Sequence, residues 1–274
     1  MIGRLLRSLP DFKGKRRLMR YLYSKTVETG SDISLSGRLG IRYLLPNLKE
    51  SISFDIFTNG IYEPETNSFL NNRIPKQGIF LDLGANIGSI TLPLIKQRPD
   101  LKVFCVEAAP WIFKYLETNI QANHDGQNVV LINKALLDRN GETLSFYSPS
   151  DQFGKGSLSP VFTNEAIQVI SITLEELVKQ YQLTHVDMIK IDIEGYEYFA
   201  FKGAGNLLSK ANAPDILFEF VDWAEDRAGI PKGKAQQFLL DNGYKLFRVT
   251  ENGSLQNQDK IVVSGSEMLF ATKK

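Results

Sequence analysis

Three ionisable residues at alternate positions, Lys190, Asp192 and Glu194, mark the stretch Met188-Ile189-Lys190-Ile191-Asp192-Ile193-Glu194-Gly195-Tyr196-Glu197. Side chains on a strand alternate between faces, so these three share one side and Ile189, Ile191 and Ile193 the other. A central parallel strand is normally apolar on both faces, because helices cover both. Either this strand is an edge with a wet side, or its carboxyl end opens into a ligand crevice. In a dry crevice Asp192 or Glu194 can accept a proton once burial raises its pKa. Lys190 would then position or polarise the group that loses it, or pair with the acids. Glu219 ends another apolar run, Ile216-Leu217-Phe218-Glu219-Phe220, and either joins the same rim or turns out to solvent.

Other chemical candidates are weaker. His124 ends a predicted helix beside Asp125-Gly126, and His185 precedes the strand at Val186; both read as surface residues. No His/Cys spacing fits a metal site, and two acids two apart are too common to define one, so no metal is expected. Gly154-Lys155-Gly156-Ser157 lacks the full phosphate-loop pattern and reads as a flexible loop able to cover a substrate.

The element that must position these groups is Gly78-Ile79-Phe80-Leu81-Asp82-Leu83-Gly84-Ala85-Asn86-Ile87-Gly88. An apolar run broken only by Asp82 reads as a buried strand, followed by a glycine turn and the helix 89–97. Strand, glycine turn and helix present a helix N-terminus to a nucleotide-like ligand, and glycine lets the backbone approach it closely. The acid expected on a ribose about 20 residues later is Glu107, at the end of Leu101-Lys102-Val103-Phe104-Cys105-Val106.

Around this unit strands and helices alternate. Strands are expected at 128–132, 167–172, 186–193, 216–221, 244–249 and 268–272. Helices are expected at 111–122, 174–181 (capped by Thr173 with Glu176), 197–208 and 232–242. A hairpin is expected to pair 134–137 with 143–147. The alternation predicts an open, mostly parallel, doubly wound α/β sheet with a late antiparallel element, from residue 78 to 274. Residues 1–77 form an appendage of helices and a small hairpin over 40–58, where Ser51–Phe57 alternates. Pro64 is placed as the first residue of a helix reaching about Arg73. Glu63 and Glu65 either complement that helix's dipole, or Tyr62 and Glu63 lie against the crevice.

With 274 residues, 43% hydrophobic, the chain can bury a sizeable core. Its net charge of +1 is uneven. Residues 1–25 hold eight basic side chains and one acid, leaving the other 249 residues at a net −6. Such a body argues against nucleic-acid binding. The basic segment, with Leu5, Leu6, Leu9, Leu18, Met19, Leu22 and Tyr23 beneath the arginines, reads as peripheral attachment to an anionic membrane or as a docking helix with a solvated basic face. It lacks the apolar core of a secretory signal, so a cytoplasmic enzyme is expected, in contact with a membrane if the first reading holds. The single cysteine, Cys105, reads as a small buried hydrophobe.

Taken together, the motifs resemble the FkbM family of S-adenosylmethionine-dependent methyltransferases. The residues are Gly60-Ile61-Tyr62-Glu63-Pro64-Glu65, Asp82-Leu83-Gly84-Ala85-Asn86-Ile87-Gly88, Val106-Glu107-Ala108-Ala109-Pro110, Lys134-Ala135-Leu136-Leu137-Asp138 and Ile189-Lys190-Ile191-Asp192-Ile193-Glu194-Gly195-Tyr196-Glu197. The resemblance implies a seven-stranded methyltransferase sheet, S-adenosylmethionine as cofactor, and O-methylation of sugar or polyketide-type hydroxyls. It implies that Asp82, Gly84, Asn86 and Gly88 border the methionine part, that Glu107, with Ala108 beside it, takes the ribose hydroxyls, and that Ala135 and Leu136 flank the adenine. Two alternatives stand beside it. An NAD-dependent oxidoreductase would share the glycine turn and ribose acid, but Gly84–Gly88 departs from G-x-G-x-x-G and no hydride-transfer pair stands out. A cofactor- or glycan-binding module without turnover is the other.

Overall fold

The computed structural model describes residues 6, 7, 9, 12–123, 128–160, 162–250 and 252–274; His124 lies outside them. From Lys15 onward come two short helices, α1 (Lys15–Leu22) and α2 (Ser24–Thr29), and an antiparallel hairpin, β1 (Ile33–Ser36) with β2 (Arg42–Leu45). Helices α3 (Ser51–Asn59) and α4 (Pro64–Arg73) follow. Then come β3 (Ile79–Leu83), α5 (Thr91–Gln97), β4 (Lys102–Val106), α6 (Pro110–Asn123), β5 (Val129–Ile132), β6 (Ala135–Leu136), β7 (Thr143–Tyr147) and β8 (Ala166–Ile172). The second half holds α7 (Leu174–Gln180), β9 (Met188–Ile191), α8 (Glu197–Lys202), β10 (Asp215–Val221), α9 (Asp222–Arg227), α10 (Lys234–Asp241), β11 (Lys245–Val249), β12 (Leu255–Asn257) and β13 (Ser266–Thr272).

Among the described residues the main sheet has eight strands, in the order β12-β11-β13-β10-β9-β3-β4-β5. Strands β10, β9, β3, β4 and β5 run parallel, and β13 is inserted antiparallel between β10 and β11. This is the doubly wound α/β architecture, with β3 and β9 adjacent where the strand order reverses. The eighth strand, β12, exceeds the seven expected. Its three residues, Leu-Gln-Asn, follow the turn Asn252-Gly253-Ser254 and carry too little apolar pattern to announce a strand.

Alternation in the strands feeds two cores. Leu81, Leu83, Ile189, Ile191, Ile216 and Phe218 face one cluster with Leu174, Leu177, Phe201 and Leu239 from α7, α8 and α10. Phe80, Val103, Cys105, Met188 and Leu217 face the other, with Ile112, Leu116 and, from the first 77 residues, Met19, Ile41, Leu45 and Phe54. The hairpin is tied to the glycine turn by one amide. Asn119 of α6 accepts from Leu44 N–H at 2.7 Å and donates to the carbonyls of Leu44 (3.1 Å) and Ile87 (3.0 Å).

Three expectations need correction. The segment Ser51–Asn59 is a helix, not a strand of a hairpin; the hairpin lies earlier, at β1 and β2. Its apparent alternation hid a helical stripe, because Phe54, Phe57 and Thr58 are buried together and Glu50 accepts from Ser51 N–H at the helix start. Strands β6 and β7 do not pair with each other: β8 lies between them, parallel to β6 and antiparallel to β7. A tight turn at 138–141 was therefore no proof of a hairpin. Finally, α8 stops at Lys202, short of the helix expected over 197–208, as the chain turns at Gly203, where a β-carbon would lie 2.4 Å from the Leu137 carbonyl.

Candidate active site

Asp82 and Lys190 are neighbours in register on β3 and β9, both on the face opposite Leu81 and Ile191. Asp82 is fully buried; one carboxyl oxygen accepts from the Thr91 hydroxyl at 2.6 Å. The other has no hydrogen-bond partner among the described residues and lies 3.9 Å from Lys190 Nζ. Burial drives the Asp82 carboxyl upward against the pull of Lys190 and Thr91. The ammonium of Lys190, itself buried, lies 3.5 Å from Asp192. Burial alone would push Lys190 down, but Asp192 and Asp82, then Glu63 and Glu219, hold it above the ordinary lysine value. The carboxylates around it thus favour its charged form.

After Leu83 the chain turns sharply. Gly84 and Ala85 both donate to the Val106 carbonyl at 2.9 Å, which pins the turn to the end of β4. Gly84 sits at φ +81 and Asn86 at φ +52. Asn86 N–H then donates to Glu107 Oε2 at 3.0 Å, and Ala109 N–H to Glu107 Oε1 at 2.8 Å. Burial raises the Glu107 carboxyl to about 7, against these backbone donors and Lys190.

On the opposite side the chain leaves β9 at Ile191. Asp192 N–H donates to the Leu83 carbonyl at 3.0 Å. Glu194 (φ +55) and Gly195 (φ +94) then reverse it, with a β-carbon at Gly195 excluded by the Ala224 backbone at 2.4 Å. Asp192 and Glu194 thus share the crevice with Lys190 through this reversal; the strand expected to reach residue 193 ends before both. Burial, then Asp192 and Glu219, raise the Glu194 carboxyl; burial and Asp192 do the same to Glu219, whose carboxylate accepts from Ser266 Oγ at 2.6 Å. Glu197, buried below, accepts from Ile193 N–H at 2.9 Å and is pushed up to about 8, first by burial.

These walls line a crevice at the carboxyl ends of β3, β4 and β9. Of the residues singled out in the sequence, Gly84, Asn86, Glu107, Ala108, Ala135, Leu136, Lys190, Asp192, Glu194, Tyr62 and Glu63 line it. Asp82 and Gly88 do not. Asp82 is buried behind the wall, and Gly88 faces Leu92 and Leu116, supporting the turn from the rear. Glu219 stands outside the lining yet close enough to raise Tyr62 and Glu194. Tyr62 is itself held far above its ordinary value by burial, Glu63 and Asp192. Glu63 occupies the cap position of α4 at φ +40 and faces the crevice, while Glu65 is the acid of the first helical turn.

Sequence reasoning missed part of the wall. Phe146, Phe153, Leu158 and Tyr196 line it, together with Ile52 of α3 and Lys134. The glycine/serine segment expected to be a flexible cover is held in place. Phe153 is buried edge-on against Trp111, Gly154 N–H donates to Glu50, and Ser157 exchanges two hydrogen bonds with Tyr147. Ser159 Oγ meets Tyr196 Oη and donates to the Arg227 carbonyl, both at 2.8 Å. The signal was the aromatic residues set among the glycines. His185 is half exposed beside Asp187, outside the crevice lining. Among the described residues no group of three His, Cys, Asp or Glu side chains is arranged for a metal ion.

The Methyltransferase FkbM domain matches residues 82–246, more than half of the chain. No curated protein matches. Among solved structures, the precorrin-6y C5,15-methyltransferase of Geobacter metallireducens GS-15 is similar at 15% identity, with 77% of this chain and 87% of that one covered and a TM-score of 0.43. Aeropyrum pernix fibrillarin, solved with S-adenosyl-L-methionine, aligns at 13% identity over 75% and 73% of the two chains, TM-score 0.43. M. jannaschii TYW2, in complex with AdoMet, aligns at 16% over 88% and 84%, TM-score 0.41. The crevice fits that cofactor. Each Glu107 oxygen keeps a lone pair free that could accept from a ribose hydroxyl, the Gly84 turn would let a ligand approach the backbone, and Ala135 and Leu136 offer apolar lining suited to a base. With the domain match spanning more than half of its length, this chain belongs to the FkbM family of S-adenosylmethionine-dependent methyltransferases.

Proposed function

We propose that the protein methylates a hydroxyl oxygen on a sugar, glycan or polyketide-like small molecule, with the first 77 residues helping to shape the acceptor pocket. The observation that carries this reading is the acidic end of the crevice, where Tyr62, Glu63, Asp192 and Glu194 share the lining with Lys190, whose ammonium lies 3.5 Å from Asp192. A neutral polyhydroxylated acceptor matches such a wall, because carboxylates accept hydrogen bonds from its hydroxyls and an acid held protonated by burial donates one.

When bound, S-adenosylmethionine supplies an activated methyl group on a sulfonium. The residues of this chain have three tasks. Glu107 and the Gly84–Asn86 turn hold the nucleoside side in place, and alignment of the reacting atoms is a large part of the barrier in such a transfer. Asp192 accepts the proton of the acceptor hydroxyl as the new C–O bond forms. Lys190, fixed between Asp82 and Asp192, keeps its charge and holds the Asp192 carboxylate toward the acceptor. Phe146, Phe153 and Leu158 exclude water from the same space.

The test is incubation of the purified protein with methyl-labelled S-adenosylmethionine and a panel of sugars, glycans and hydroxylated lactones. Label recovered in an alkali-stable ether supports the reading. Label in an amine, a carbon–carbon bond or an alkali-labile ester, or none with any hydroxylated acceptor, overturns it.

A further inference from the structure

Helix α1 has two unlike faces. Its inner face is docked: Lys15 and Met19 are fully buried, and Arg16 pairs with Asp55 while Arg16 and Arg20 lie over the Phe54 ring of α3. The outer face carries Arg17, Leu18, Tyr21 and Leu22, neighbours on one helical stripe by their spacing. Leu18 is 39%, Tyr21 79% and Leu22 45% exposed. Leu9 and Phe12, just before the helix, are exposed as well, at 40% and 45%. These large apolar side chains are concentrated on one short segment, whereas an ordinary surface scatters them singly. Around them stand Lys13, Arg17 and Lys25, exposed and without a hydrogen-bond or ion-pair partner among the described residues.

The docking-helix and membrane readings of this segment are therefore not exclusive, because each belongs to a different face. A stripe of Leu and Tyr flanked by unpaired cations has the chemistry of an interfacial anchor: apolar side chains enter the headgroup boundary while Lys and Arg meet anionic lipid. The charge distribution points the same way. Residues 26–274 carry a net −6, so an anionic surface repels the body and attracts only the amino-terminal segment. A nucleic acid would use the cations and leave the leucines exposed to water.

We infer that the outer face of α1, with Leu9 and Phe12, is a docking surface for an anionic lipid bilayer. The anchor is reversible and salt-dependent, since one short stripe and three cations do not give stable insertion.

The full-length protein is floated with vesicles of pure phosphatidylcholine and with vesicles containing about a third phosphatidylglycerol, at about 0.05 M and about 0.5 M salt. Flotation with the anionic vesicles alone, weakened at least tenfold by the higher salt, is the expected result. Replacing Arg17→Glu should weaken partition severalfold. The double variant Leu18→Asp/Tyr21→Asp should abolish it. Both variants should bind S-adenosylmethionine as the wild type does, which reports that the fold is intact. Wild-type protein left at the bottom of the gradient at low salt overturns the inference, as does equal flotation of the double variant. Concentration-dependent dimerisation lost in the double variant, without flotation of the wild type, would assign the stripe to a second copy instead.

Discussion

A β-carbon built on Gly84 would lie 2.0 Å from the backbone carbonyl oxygen of Asp192, so the glycine turn after β3 and the chain leaving β9 touch at a point where no side chain fits. Gly84 is also at φ +81, so Gly84→Ala meets both a steric clash with backbone and an unfavourable dihedral. Separation of β3 from β9 at this point should cost about 2–5 kcal/mol of stability. Denaturant unfolding should show a lowered midpoint, and titration calorimetry a loss of S-adenosylmethionine binding. A variant as stable as the wild type would mean that the turn relaxes freely.

Glu107→Ala removes the proposed acceptor of the ribose hydroxyls and strands the N–H groups of Asn86 and Ala109. Cofactor binding should weaken by roughly 2–4 kcal/mol, read by calorimetry. Unchanged affinity would show that the ribose lies elsewhere.

The same carboxyl sets a pH dependence. With its pKa raised to about 7 by burial, Glu107 is protonated below that value and becomes the better acceptor above it. Affinity for S-adenosylmethionine should therefore rise as pH increases from about 6 to about 8, by up to about tenfold per unit on the acid side. Glu107→Gln should flatten the profile; an affinity that falls with rising pH contradicts the assignment.

Asp192→Asn keeps the size of the side chain but removes the proton acceptor. Turnover with an acceptor found by the labelling screen should drop by about 10²-fold or more, while cofactor affinity stays within a few-fold. Wild-type turnover in this variant would remove Asp192 as the base.

Buried acids also make stability pH-dependent. Glu107 and Glu197 carry pKa values of about 7 and about 8 in the fold, above their unfolded value. Their contribution is full below pH about 4.5 and is lost as pH rises through 7 and 8, where the folded state must release the protons it held. The cofactor-free protein should thus lose about 2 kcal/mol or more between pH about 5.5 and pH about 9. Denaturant midpoints at the two pH values measure this. A higher midpoint at the alkaline end would contradict the burial of these groups.

The parallel order of the sheet, the glycine turn, the acid Glu107 and the cluster at Lys190 to Glu194 were legible in the residue order alone. Each rests on local rules: apolar runs make buried strands, glycine permits φ +81, and an ionisable group in an apolar strand must meet a partner. What those rules do not reach is pairing at a distance. Ser51–Asn59 alternates like a strand, yet its stripe of Phe54, Phe57 and Thr58 is buried as a helix against residues remote in the chain. Nothing local places β8 between β6 and β7, or turns Glu194 back into the crevice over the Ala224 backbone. Only the folded chain set Phe153 and Tyr196 in the wall and moved Asp82 and Gly88 behind it. Burial depends on which surfaces meet, and that is a property of the whole chain, whereas a turn or a strand is decided within a few residues.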